Sequence, residues 1–114
     1  MKRKVMKAVT FLIIFGVLIL AVFLMNNKKG ETSEEIAKCI ASKSKLYVQL
    51  GCHACITQEN LFGESYKYLN TIDCYYDTQT CIDENITATP TWIINGKKYV
   101  GVQSVEELQQ ITNC

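Results

Sequence analysis

Ala8–Met25 (AVTFLIIFGVLILAVFLM) is a run of 18 residues without a single charge. As a helix it spans about 27 Å, close to the hydrocarbon thickness of a bilayer. Such a segment cannot share an aqueous core with the residues around it. It divides the chain into a basic stretch at 1–7, an apolar helix at 8–25, a short polar linker at 26–31 and a domain at 32–114. A domain that small has a marginal core and often needs a covalent staple.

The charges follow the same division. Lys2, Arg3, Lys4 and Lys7 precede the apolar run, and Lys28 and Lys29 follow it. From Glu31 onward six lysines stand against eleven Asp and Glu, which leaves −5. The near-neutral total of +1 therefore hides a basic membrane end and an acidic domain. An acidic domain without a basic, aromatic-rich patch argues against a nucleic-acid partner. The denser cationic cluster before the run predicts a cytoplasmic N-terminus and an extracytoplasmic C-terminal domain. No small-x-small cleavage site follows the run: the sequence there is Phe23-Leu24-Met25-Asn26-Asn27. The run is also longer than a usual signal-peptide core, so the expectation is an uncleaved signal anchor in a single-pass membrane protein. No cysteine follows closely enough to suggest a lipid anchor.

All six cysteines lie beyond the apolar run. An even number in a small exported domain points to disulfides and an oxidising compartment. Cys52-His53-Ala54-Cys55 is a redox or metal signature. The chain's one proline, Pro90, lies well downstream in Thr89-Pro90-Thr91-Trp92.

The periodicity places these residues. Thr32-x-x-Glu35 reads as a capping box opening a helix through Ser42, with Ile36 and Ile40 on one face. Within Lys45–Leu50, the β-rich Leu46–Leu50 predicts the first strand, broken by Gly51. A helix is expected from Cys52 to Leu69, with Cys55, Phe62, Tyr66 and Leu69 on one side and Gly63 either marking a bend or close contact or simply tolerated. Thr71–Tyr75 predicts a second strand and Thr80–Glu84 a short helix. Trp92–Ile94, Asn95-Gly96 and Lys97–Val100 predict a hairpin with a type I′ turn. Ser104-x-x-Glu107 opens a last helix lined by Val105, Leu108 and Ile111. The order is a helix followed by β-α-β-α-β-β-α.

This is a minimal thioredoxin layout. The motifs Gly51-Cys52-His53-Ala54-Cys55, Gln58, Leu61-Phe62-Gly63-Glu64-Ser65, Pro90-Thr91-Trp92, Asn95-Gly96-Lys97 and Gly101-Val102-Gln103-Ser104 carry a closer likeness. They resemble the thioredoxin-like domain that accompanies bacterial, archaeal and plant homologues of vitamin K epoxide reductase. The likeness covers about Ile36 to Leu108. It implies a thiol–disulfide oxidoreductase without a cofactor, acting on exported protein thiols or disulfides. It also implies a quinone-linked membrane partner similar to those reductase homologues. Two residues depart from the pattern. Gly51 stands where an aromatic is usual, and His-Ala fills the dipeptide where proline or glycine usually comes first and histidine second.

Cys52 falls at a helix start, where unpaired N–H groups and the helix dipole favour a thiolate. That makes Cys52 the attacking sulfur and Cys55, one turn on, the resolving one. As an imidazolium, His53 would favour that thiolate. As a solvated loop side chain it would do little; the sequence leaves both open. The resemblance implies a cis Thr89–Pro90 peptide, with the Thr89 backbone facing the cysteine pair to bind an extended substrate. Cys39, Cys74, Cys81 and Cys114 allow three pairings. The resemblance, which has a cysteine on each side of the loop after the second strand, implies Cys74–Cys81 and so leaves Cys39 with Cys114. Two other readings stand beside this one. Cys52-x-x-Cys55 is also half of a zinc pattern, although Cys74 and Cys81 are spaced wrongly for the other half and no metal is expected. A thioredoxin-shaped binding module with a locked disulfide is the third class. Asn85-Ile86-Thr87 is a glycosylation sequon that matters only in a host that glycosylates.

Overall fold

Two patterns in the chain fold by different rules, and the structure keeps them apart. The computed structural model describes residues 1–26 and 32–114. The linker expected at 26–31 lies, beyond Asn26, outside the described residues. Helix α1 (Lys2–Asn26) contains the apolar run and extends through the basic residues before it. It is the one helix among the described residues long and apolar enough to cross a membrane, and the side chains of Lys2–Met25 are exposed.

The domain begins with α2 (Glu34–Lys43) and strand β1 (Ser44–Val48), followed by α3 (His53–Phe62) and a 3-10 segment at Gly63–Tyr68. Strand β2 (Thr71–Asp73), α4 (Thr78–Asp83), β3 (Thr91–Ile94), β4 (Lys97–Val100) and α5 (Val105–Thr112) complete it. The sheet order is β2-β1-β3-β4. β1 runs parallel to β2 across the α3 connection and antiparallel to β3, which pairs with β4. A central strand with one parallel and one antiparallel neighbour, helices in the connections and a closing hairpin is the thioredoxin-like layout that the order of elements implies.

Alternation along β1 builds two faces. Leu46 sits opposite Trp92, and Ser44 opposite Ile94. Leu46, Trp92 and Ile94 pack with Ala37, Ile40, Phe62, Leu69 and Leu108 in one buried cluster. The Phe62 and Trp92 rings stand 6.0 Å apart in a tilted pair. Tyr47 takes the opposite face. Its phenol feels the charges of Asp77 and Glu84, which flank α4.

Several boundaries differ from the sequence expectation, each for a local reason. The first helix is capped by Ser33, whose Oγ accepts from the Ile36 N–H at 3.4 Å. Thr32, the expected cap, instead donates its hydroxyl to the Leu61 carbonyl, and its own carbonyl accepts from Ser65 Oγ. The strand expected to reach Leu50 ends at Val48, because the Cys52 N–H turns back to the Gln49 carbonyl. The strand expected to reach Tyr75 ends at Asp73. There the carboxylate accepts from the Tyr75 N–H, and the carbonyl accepts from the N–H groups of Tyr76 and Asp77. Asp77 then caps α4 two residues earlier than expected. The helix expected from Cys52 to Leu69 stops at Phe62. Gly63, at φ 59 and ψ −134, breaks it, and the chain continues as the tighter 3-10 turn. The hairpin and last helix match the expectation. Asn95 and Gly96 take φ of 53 and 74, as a type I′ turn requires. Ser104 accepts from the Glu107 N–H at 3.1 Å.

Candidate functional site

The site is assembled at the end of β1. Gly51 has φ 84, a left-handed conformation that other residues adopt only under strain. An aromatic residue would be strained there, which gives this chain's departure from the usual pattern a local cause. The turn delivers Cys52 to the N-cap of α3. Cys52 Sγ accepts from the Cys55 N–H at 3.1 Å. It therefore occupies the position where unpaired helix N–H groups and the helix dipole stabilise a thiolate in the reduced protein.

Cys52 and Cys55 are joined in a disulfide with Cα atoms 5.2 Å apart. Cys55 is buried and Cys52 half-buried, so Cys52 is the more accessible sulfur. The Thr89–Pro90 peptide is cis. Cys52 Sγ lies 3.5 Å from the Thr89 carbonyl oxygen, to which the thiol of the reduced form can donate. Pro90 is buried, Thr89 half-buried, and the Pro90 carbonyl accepts from the Gly101 N–H at 2.8 Å. Three segments distant in sequence thus converge on one edge of the domain: the cysteine turn, the proline loop and the stretch after β4. His53 occupies the first turn of α3 with its side chain exposed.

The other four cysteines form two bridges. Cys39 pairs with Cys114 and Cys74 with Cys81, at Cα separations of 6.0 and 5.6 Å. The first ties α2 to the residues after α5, and the second ties the end of β2 to α4.

Two contributors lay outside the sequence reading of the site. Asp73 accepts from the Leu50 N–H at 3.3 Å as well as from Tyr75, so the strand-end carboxylate fastens the cysteine turn to the neighbouring loop. An Asp at the end of an apolar strand is the turn-forming signal that could have revealed the second bond. Gln58 is fully buried one turn after Cys55. Its Oε1 accepts from the Trp92 indole N–H at 3.0 Å and from the Gln103 N–H at 2.8 Å. Its Nε2 donates to the Gln103 carbonyl at 2.9 Å. In the amino-acid sequence Gln58 stands out only as one of the residues that carry the resemblance, with nothing to indicate this role.

No protein-family model matches the chain. It is 35% identical over 78 residues to thiol-disulfide oxidoreductase LTO1 of Arabidopsis thaliana. The match takes in 60% of this chain but 21% of the plant protein, so the chain spans about a fifth of that relative's length. The oxidised thioredoxin of Plasmodium falciparum superposes with a TM-score of 0.46 at 19% identity, over 72% of this chain and 90% of that one. A domain (NTD_N/C) of the alkylhydroperoxide reductase AhpF from Enterococcus faecalis gives 0.44 at 15% identity, over 82% and 51%. The fold assignment stands on the strand order and connections given above.

Proposed function

We propose that this chain is a membrane-anchored thiol–disulfide oxidoreductase whose domain works outside the cytoplasm. The observation that carries the reading is the placement of Cys52 Sγ. It sits at the helix N-terminus, bonded to Cys55, beside the Thr89 carbonyl at a cis proline. The similarity to a plant thiol-disulfide oxidoreductase supports the same chemistry.

The exchange moves two electrons without a cofactor. In the oxidising direction, a substrate thiolate attacks Cys52 Sγ and forms a mixed disulfide, and Cys55 leaves as a thiolate. A second substrate thiolate attacks the substrate sulfur of the mixed disulfide. The substrate leaves with a new disulfide, and Cys52 and Cys55 are left reduced. In the reducing direction the Cys52 thiolate attacks a substrate disulfide and expels one substrate thiolate. Cys55, once deprotonated, then attacks Cys52 Sγ and releases the other. As an imidazolium, His53, exposed beside Cys52, would favour the charged sulfur.

The domain's partners are exported protein thiols or disulfides. For turnover in the oxidising direction the electrons pass to a quinone-linked membrane oxidoreductase similar to the vitamin K epoxide reductase homologues. The basic residues before the apolar helix, the acidic domain after it and three disulfides all support the outward placement. Cys55→Ala is expected to accumulate mixed disulfides through Cys52, and Cys52→Ala to accumulate none. Equal trapping by both variants, or by neither, overturns the assignment of roles. The reduction potential of the Cys52–Cys55 pair then sets the direction: near about −120 mV for an oxidant, near about −270 mV for a reductant.

A further inference from the structure

The Gln58 side chain bonds to Trp92 and Gln103 and not to a cysteine sulfur, yet it joins all three segments that form the active edge. The cysteine helix carries it. Trp92, two residues beyond the cis proline, donates to it. Gln103, two residues beyond Gly101, both donates to it and accepts from it. Gly101 in turn donates to the Pro90 carbonyl. The three bonds are complementary: the amide oxygen takes two N–H donors and the amide nitrogen faces a carbonyl. Gln58 and Trp92 are both fully buried, so no water can replace a lost partner at low cost.

We infer that Gln58 is a positioning residue: its buried amide fixes the placement of Cys52 Sγ relative to the Thr89 backbone, alongside which an extended substrate segment would bind. The inference rests on the oxidoreductase reading above. An ordinary core residue would serve stability alone. An amide that pins β3 and the Gly101–Gln103 stretch to the cysteine helix sets the geometry of the substrate groove as well. Small disulfides need only reach Cys52. An extended peptide must bond to the Thr89 backbone and meet the sulfur at the same time, so it alone senses the spacing.

The test uses the full chain in detergent, with dithiothreitol as reductant. The substrates are a short linear peptide carrying one mixed disulfide with a chromogenic thiol, and that chromogenic disulfide alone. Gln58→Met keeps the length and removes all three bonds. It is expected to raise KM for the peptide about tenfold, equivalent to about 1.4 kcal/mol. The rate on the small disulfide, the peptide kcat and the equilibrium constant of the Cys52–Cys55 couple against dithiothreitol should stay within about twofold. The indole N–H resonance of the single tryptophan should shift, which certifies that the network is gone. Gln58→Glu supplies a second arm that holds even if Gln58→Met does not fold. A protonated carboxyl reproduces the acceptor and donor pattern of the amide, and a carboxylate lacks the donor. Its peptide KM relative to wild type should therefore approach one at low pH and rise as pH increases. A shifted indole resonance with unchanged peptide KM overturns the proposal, as does a pH-independent KM ratio for Gln58→Glu. An equal loss on both substrates also overturns it, since that places Gln58 in the sulfur chemistry. A wild-type protein inert toward every disulfide would instead remove the oxidoreductase reading.

Discussion

Removing the two outer disulfides one at a time should expose how much of this domain's stability comes from limiting its unfolded chain. Cys39–Cys114 closes a loop with a sequence separation of 75, and Cys74–Cys81 one of 7. Loop-closure entropy grows with the logarithm of that separation. It gives about 4.5 kcal/mol for the long bridge and about 2.3 kcal/mol for the short one at 25 °C. A domain of this size has about 4–12 kcal/mol in total, so losing the long bridge alone removes from about a third to all of it. Cys39→Ala/Cys114→Ala and Cys74→Ala/Cys81→Ala each leave Cys52–Cys55 intact. Trp92 is the only tryptophan and is fully buried, so its fluorescence in urea follows the domain and not the membrane helix. The expected losses stand near two to one. Cys81 is buried whereas Cys39 and Cys114 are half-buried, so lost packing alone would penalise the short bridge more. If the short-bridge variant loses as much as the long-bridge one, or more, the bridges act through native packing and the entropic account is wrong.

Tyr47 offers a test of a buried polar group. Its hydroxyl is buried without a hydrogen-bond partner among the described residues, so Tyr47→Phe should be neutral or stabilising by about 1 kcal/mol in the same urea assay. Burial, reinforced by Glu84 and Asp77, holds the Tyr47 phenol above its ordinary value; burial, with Glu59 and Asp73, does the same to Tyr66. The stability tied to these protons is fully present below about pH 10 and is lost as pH rises toward the folded-state values, because the unfolded chain gives up its protons first. Tyr47→Phe should make that alkaline decline shallower, and an unchanged slope would place the decline elsewhere. A fragment of residues 32–114 should keep exchange activity on small disulfides and lose turnover with the proposed quinone-linked membrane oxidoreductase. Equal turnover by fragment and full chain at equal abundance would remove the role of the anchor. The linker between Asn26 and Thr32 can reach at most about 20 Å, which is why the tether is expected to matter.

What could be read from the sequence was whatever local chemistry enforces. The Asn95-Gly96 turn and the Ser104 cap need only their neighbours, and both stand where the pattern puts them. The apolar helix follows from its uncharged composition and β1 from its run of β-forming residues. The boundaries that moved did so because a tertiary or loop partner competed with the local rule. Thr32 has good capping chemistry but is used by Leu61 and Ser65 across the domain, so the adjacent Ser33 caps instead. The Leu46–Leu50 and Thr71–Tyr75 runs have β-forming residues to the end. Both strands stop where the chain must turn toward the cysteine pair, and the Asp73 carboxylate holds the two turns together. Propensity gives way there because the backbone N–H groups of Leu50 and Tyr75 find their partner in a side chain outside the sheet ladder.

The candidate site divides in the same way. Cysteine and proline are scarce residues with narrow chemistry, so Cys52, Cys55 and Pro90 stand out in the amino-acid sequence alone. Gln58 and Asp73 are of common types, and their parts depend on partners as many as 45 residues away. The arrangement has a physical logic. A thiol–disulfide exchanger must leave its reactive sulfur open to large substrates, so the sulfur sits on turns, and turns alone hold distances poorly. The precision has to come from beneath. In this domain it comes from a buried amide on the cysteine helix and a carboxylate at the adjacent strand end, each bonding backbone groups of the exposed turns. Deep grooves and metal clusters are therefore the wrong features to seek in such a protein. The informative feature is a buried polar side chain whose partners lie on separate segments of one edge, because burial there costs stability that an apolar residue would have spared.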